Sequence, residues 1–599
     1  MRLHSLKISG FRRVKKAEIK FGDTTFLIGS NNIGKSSTLH AIEILLSAKK
    51  QLNSSDYFSE IDPENGETKI AIDTIILEAE FRNLPKESVN WRGFKGRIFN
   101  YESDDETGLS ITYKKTYPIG KDVIIEFKSK EREISTKYID LKKPIEFIEN
   151  GIDRDIIIEL FGEENLDKKL TANNLIKLED LDEIWTLNEE ETWFKNPGGI
   201  PGNVLKMLPR FLFIPAETSI NEIDGSTSGV LNKTLNELFN DVRDSSINFN
   251  EAQKFLSLLE KELDPQDESS KFGQMMSELN EIMSSVFPET KFYASADLSD
   301  PKVLKPNFKV EMSSNIRTSV NLQGTGMVRS AAFAMLRYRQ QLVSQKEDNF
   351  NRSLIICFEE PEIFLHPSAA IQMRDAIYDL SSNDSQIVAT THSPFLIDIS
   401  KKPRQILNRL FIDIDNELKC LAFNVTDAFL SLQKDDKTYV KMILKIDDYI
   451  SKIFFTKNVV IIEGDTEEIL IKESLKRLDK DQYLKIVSSF EIIKARGKQT
   501  IIGLVKYLTS MGINPIIVHD RDNNTPGAFL FNKPIEEALN SNGKIILMEE
   551  NVEDVLGYSA SYEKPFKAFL ETEKWGDKWE DLPEKWRLKL IDIFHPYIS

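Results

Sequence analysis

Cysteine is almost absent: 599 residues carry only Cys357 and Cys420. Cys357 lies inside the apolar run Ser353–Phe358 and reads as a core residue, not a disulfide partner. A disulfide-stapled scaffold is excluded, and a reducing, cytoplasmic compartment is expected. Long hydrophobic runs are missing too. The longest, such as Leu354–Phe358 and Val459–Ile462, are strand-sized and far below the ~18 apolar residues of a membrane span, so no membrane partner is expected. There is no internal repeat, no low-complexity tract and no heptad pattern long enough for a coiled-coil arm. The first residues alternate Leu3, Leu6 and Ile8 with Arg2, His4 and Lys7, which reads as a strand and not as a signal peptide. A positive balance is also lacking. The net charge of −17 opposes non-specific coating of nucleic acid, although 78 Lys and Arg suffice for a local basic channel.

What is present is the balance of a soluble globular protein, with 40% hydrophobic and 29% charged residues. One core does not grow to this length, so at least two domains are expected, and more plausibly three or four. Residues 1–30 alternate as strand and end in a glycine turn. From Ser36 to Ala48, Leu39, Ile42, Leu45 and Leu46 recur at helical spacing. Residues 70–130 read as β-rich, 150–200 as acidic and irregular up to the turn at Asn196-Pro197, and 227–290 as an α-helical insertion. Strand and helix signals return from Phe308 to Phe423. Residues 426–456 look like a connecting helix, and a new α/β pattern begins at Asn458.

Two groups of residues carry chemistry. Gly29-Ser30-Asn31-Asn32-Ile33-Gly34-Lys35-Ser36, followed by Ser37, stands between a strand and a helix. Its glycines let backbone N–H groups wrap a phosphate, Lys35 would reach the β- and γ-phosphates of ATP, and Ser36 would hold Mg²⁺. The strand Ser353–Phe358 delivers Glu359-Glu360-Pro361-Glu362 to its carboxyl end. There Glu359 is placed to hold the metal through water and Glu360 to polarise the attacking water. A glycine loop with Gly324 and Gly326 opens a helix, and a strand from Gln386 ends at His392.

The second group lies near the C-terminal end. The strand Asn458–Ile462 ends in Glu463-Gly464, with Glu467 four residues on, and Pro515–His519 ends in Asp520-Arg521-Asp522. Period two would put Asp520 and Asp522 on one side of the chain. Ile545–Met548 leads to Glu550 and Asp554, four apart and able to share a helix face. So many carboxylates at strand ends suit a hard cation, Mg²⁺ or Mn²⁺, and two such ions would serve phosphodiester cleavage. Lys498 in a basic stretch, or Lys564 or Lys567, would contact a phosphate.

The order of phosphate loop, glycine loop, acidic strand end and histidine strand end resembles an ABC-type ATPase head of the SMC, Rad50 and OLD branch. Glu359 departs from it, standing where Asp is usual, and the Ser-Gly-Gly-Gln run is missing. Glu463-Gly464 followed by Asp520-x-Asp522 resembles a TOPRIM domain. Together they resemble the OLD (overcoming lysogenisation defect) nucleases. The implied architecture is α/β. A head lies at 1–160 and 306–425 with a largely helical insertion at 161–305, then a linker helix at 426–456 and a Rossmann-like TOPRIM domain at 457–599. The resemblance implies an ATP-regulated, metal-dependent DNA endonuclease, a homodimer whose Gly324–Gly326 loop covers the ATP of the partner, and His392 sensing the γ-phosphate. Glu463 becomes metal ligand and base, and Glu467, Asp520, Asp522 and Glu550 metal ligands. It further implies antiphage defence beside a helicase or a retron reverse transcriptase. Rival readings are a strand-passing topoisomerase, an SMC-like structural ATPase and a non-cleaving ATPase sensor.

Overall fold

The computed structural model describes residues 1–213 and 351–599 apart from short stretches, and only scattered residues from 214 to 350. The chain divides into two compact units, Met1–Phe213 with Asn351–Ser599, and Ile214–Phe350. The Gly324–Gly326 loop and nearly all of the expected helical segment 227–290 lie outside the described residues.

The first unit opens with an antiparallel sheet in the order Trp185–Lys195, Ile124–Ile134, Thr107–Pro118, Thr74–Arg82, Arg2–Phe11, Val14–Lys20, with Phe99–Glu102 on the side. Alternation explains these strands: Ile75, Leu77, Ala79 and Phe81 point inward while their neighbours stay part-exposed. The strand Trp185–Lys195 corrects the expectation that 150–200 is irregular and that a helical insertion begins at 161. Its register against Ile124–Ile134 shifts between Leu187 and Glu191, where this strand uses two residues more than its partner, and the charged run Glu189-Glu190-Glu191 hides the alternation.

The second sheet has the order Arg210–Ile214, Leu354–Glu359, Ser385–Thr390, Thr24–Ile28, Gln405–Ile412, Leu418–Asn424. The four strands from Leu354–Glu359 to Gln405–Ile412 run parallel, and the last is antiparallel. Their continuous apolar character follows from burial on both faces. The phosphate loop, the run Glu359–Glu362 and His392 therefore leave the sheet at one carboxyl edge.

The expected single linker helix is two, Val425–Ser431 and Lys434–Ile446, followed by a 3-10 turn at Ile450–Phe454. A four-stranded parallel sheet follows, ordered Phe490–Lys494, Asn458–Ile462, Ile516–His519, Lys544–Leu547. Its core gathers Val460, Ile462, Val518, Ile546 and the fully buried Trp586, whose indole N–H donates to Ser474 Oγ at 2.9 Å. The strand order reverses between Asn458–Ile462 and Ile516–His519, which places a crevice at their carboxyl ends. No helix among the described residues is long and apolar enough to cross a membrane.

Candidate functional site

The phosphate loop joins the strand Thr24–Ile28 to the helix Lys35–Leu46. Gly29 has φ 145, and a Cβ there would lie 2.4 Å from the Leu410 carbonyl oxygen, so only glycine fits. Asn31, Asn32 and Ser36 are exposed at the loop, while Lys35 and Ser37 are buried. Lys35 Nζ donates to the carbonyls of Gly29 (3.0 Å) and Ser30 (2.9 Å) and lies 2.7 Å from His392 Nε2. Burial pushes the Lys35 ammonium down against the pull of Glu360, Glu362 and Glu359. Burial and the Lys35 charge push His392 down as well.

Glu359 ends its strand and Glu360 follows with φ 41, its N–H donating to Thr390. Glu360 reaches back to within 3.5 Å of His392 Nε2. Glu362 was not singled out by sequence, yet it organises the histidine loop. Its Oε1 accepts from Thr391 Oγ1 (2.6 Å) and from the His392 N–H (3.0 Å). Burial raises its carboxyl, opposed by those hydrogen bonds. Lys35, Glu359, Glu360 and His392 thus meet at one edge.

In the C-terminal sheet, Glu463 and Asp520 leave adjacent strands at the crevice. Glu463 Oε1 accepts the Asp520 N–H at 2.8 Å. Burial pushes the Glu463 carboxyl up to about 7. Burial, reinforced by the charges of Glu463, Glu467, Asp522 and Glu553, pushes Asp520 up to about 8. Glu467 is buried on the first turn of Asp465–Leu475, accepts the Gly464 N–H at 2.9 Å, and is also raised by burial. Asp522 joins through a turn, with φ 54, and not through an extended strand as period two had suggested. Its Oδ2 pairs with the buried Lys498 Nζ at 2.8 Å.

Two expected ligands are placed otherwise. Asn551 caps the helix Val552–Leu556, so Glu550 stands outside it. Glu550 accepts the N–H groups of Asn523 (3.1 Å) and Asn524 (2.5 Å), which makes it a brace for the loop after Asp522. Asp554 is exposed. The residue that turns into the cluster is Glu553, fully buried, with Oε1 3.4 Å from Lys564 Nζ. Sequence spacing missed it because the helix begins two residues later than a shared Glu550–Asp554 face requires. Val552 and Val555, buried either side of it, were the available signal.

Among the described residues no three His, Cys, Asp or Glu side chains stand close enough to hold an ion as they are. The donor set nevertheless fits a hard cation. It is all oxygen, and Asp520 Oδ1 and Glu553 Oε2 are buried without a hydrogen-bond partner, an expense that a cation would remove.

Residues 1–397 match the AAA ATPase domain family, and residues 454–522 match the overcoming lysogenization defect protein-like TOPRIM domain. The chain belongs to the AAA ATPase domain family and carries an OLD-like TOPRIM domain. Both halves of the OLD resemblance are thereby met. The Old nuclease of Escherichia phage P2 is 22% identical over 55% of this chain and 56% of its own length. The endonuclease GajA of Bacillus cereus (strain VD045) is 22% identical over 87% of this chain and 75% of its own. The chain thus spans only about half the length of the phage protein. An SMC head, solved bound to the C-winged helix domain of ScpA, aligns with 72% of this chain and 100% of its own at 13% identity and a TM-score of 0.35.

Proposed function

We propose that the chain is an ATP-binding, divalent-metal-dependent DNA endonuclease whose cleavage is regulated by the nucleotide. The observation that carries this reading is the juxtaposition of Glu463 and Asp520 across the crevice, with Glu467, Asp522 and Glu553 around them. Five carboxylates in a buried crevice repel one another, which is a poor arrangement for stability and a good one for binding cations.

Glu463, Glu467, Asp520, Asp522 and Glu553 would hold Mg²⁺ or Mn²⁺. Bound there, the ions supply an activated water and neutralise the leaving oxygen. Glu463, raised towards neutrality, is matched to take a proton from water near pH 7. Lys498 fixes Asp522, and Lys564, 3.4 Å from Glu553, would be available to a phosphate. Glu550 holds the loop after Asp522, and Asp554 is left without a role.

In the head, Lys35 and Ser36 would bind the phosphates of ATP and their Mg²⁺. Glu359 would support that ion, Glu360 orient the attacking water and His392 read the γ-phosphate. A homodimer closing the Gly324–Gly326 loop over the partner's ATP belongs to the same reading. So does an antiphage role with a partner from a neighbouring gene, a helicase or a retron reverse transcriptase. The relatives named Old nuclease and endonuclease GajA support cleavage. A second reading, an ATPase sensor that does not cut, draws on Glu463 and Asp522 being already engaged by the Asp520 N–H and by Lys498.

The test is cleavage of plasmid and linear DNA in Mg²⁺ or Mn²⁺, with and without ATP. Cutting that needs the metal supports the nuclease. ATP turnover without any cutting, including after addition of neighbouring gene products, favours the sensor.

A further inference from the structure

The loop that follows the histidine strand is held at both ends. Glu362 grips its front through Thr391 and the His392 N–H. At its back, the carbonyl of Pro394 accepts a hydrogen bond of 2.7 Å from Ser451 Oγ. Ser451 is 1% exposed and lies 57 residues further on, in the turn Ile450–Phe454 that leads into the C-terminal domain. That turn packs against Pro394–Leu396 on one side and against the edge strand Phe490–Lys494 on the other.

The connection onward is short. Arg409, from the strand beside the phosphate-loop strand, donates to the Thr456 carbonyl. Two residues later begins Asn458–Ile462, which is paired in parallel on both sides and ends at Glu463. A strand bonded on both edges moves as a rod, so a displacement at its start reaches its end.

We propose that Ser451 is a positioning residue that carries the state of the nucleotide site to the strand bearing Glu463, through its hydrogen bond to Pro394. The inference rests on the ATP-regulated nuclease reading for its biological meaning. Lys35 Nζ lies 2.7 Å from His392 Nε2. A γ-phosphate competes for both, which moves the histidine loop and with it the Pro394 carbonyl. Ser451 makes that movement common to both domains.

The experiment is hydrogen–deuterium exchange of the full chain, wild type and Ser451→Ala, with and without a non-hydrolysable ATP analogue and Mg²⁺. In the wild type, exchange over 450–462 is expected to change by about fivefold or more on binding the analogue. In Ser451→Ala the change falls below about twofold, with analogue affinity within about threefold and unchanged protection of Lys498–Ser510 in the free protein. Should Ser451→Ala not fold, Ser451→Cys, similar in size and a weak donor, is expected to lose most of the response. No change in the wild type, or a response that survives loss of the hydroxyl, overturns the proposal. Cleavage measured in parallel keeps the two ideas separate. If neither protein cuts DNA, the nuclease reading fails while the exchange data still decide the coupling.

Discussion

Replacing Asp520 by Asn should stabilise the metal-free protein, and far more at pH 8 than at pH 5. Asp520 is 6% exposed, its Oδ1 has no hydrogen-bond partner, and its carboxyl is pushed up to about 8. A carboxyl raised in the folded state contributes stability that is fully present below its unfolded value near 4. That stability is lost as pH rises towards about 8. From pH 5 to pH 8, at about 1.4 kcal/mol per pH unit, the loss comes to about 4 kcal/mol. Glu463 titrates with Asp520, so about half, roughly 2 kcal/mol, belongs to Asp520 alone. For a cooperative region of this size that is a gain of about 4–8 °C in Tm for Asp520→Asn at pH 8, and little at pH 5. Calorimetry in the presence of a chelator measures it. Added Mn²⁺ should stabilise the wild type and not the variant. Equal effects at both pH values, or a variant less stable at pH 8, would refute the claim that Asp520 is a strained carboxylate awaiting a cation.

Other consequences follow from single contacts. Gly29→Ala brings a Cβ to 2.4 Å from the Leu410 carbonyl at a φ that only glycine tolerates; ATP binding measured by calorimetry should fall at least about tenfold. Glu362→Ala removes the two bonds that fix the histidine loop; ATP turnover should drop about tenfold with affinity changed less than about threefold. Glu553→Gln keeps the shape of the cluster and removes one charge, so the Mn²⁺ concentration for half-maximal stabilisation should rise by about tenfold. Lys115, fully buried, donates to the carbonyls of Ile44 and Ser47 at the end of the phosphate-loop helix. Lys115→Ala should cost about 2–4 kcal/mol in denaturant unfolding, because it leaves two orphaned acceptors and a void.

The parallel strands were legible because they are short apolar runs that end in glycine or in charge. Thr24–Ile28, Leu354–Glu359, Asn458–Ile462 and Ile516–His519 each announce both a buried strand and the functional residue after it. Trp185–Lys195 was not legible, because an irregularity interrupts its pairing and three glutamates fill its middle. That Glu550 and Asp554 do not share a helix face has a local cause: one cap, Asn551, starts the helix after Glu550 and turns Glu553 inward, and counting residues four apart ignores it. Glu362 and Ser451 act through partners 29 and 57 residues away. No spacing rule reports a contact of that kind, which only the assembled sheets create.

The central claim is that the Glu463–Asp520 crevice cuts DNA. The most direct measurement compares plasmid cleavage in Mn²⁺ by wild type, Glu463→Ala and Asp520→Ala, each with and without ATP. The account predicts nicked and linear products from the wild type, at least about a hundredfold slower cleavage from either variant, and unchanged ATP binding in both. Variants that cut at the wild-type rate would place the nuclease centre elsewhere and contradict it.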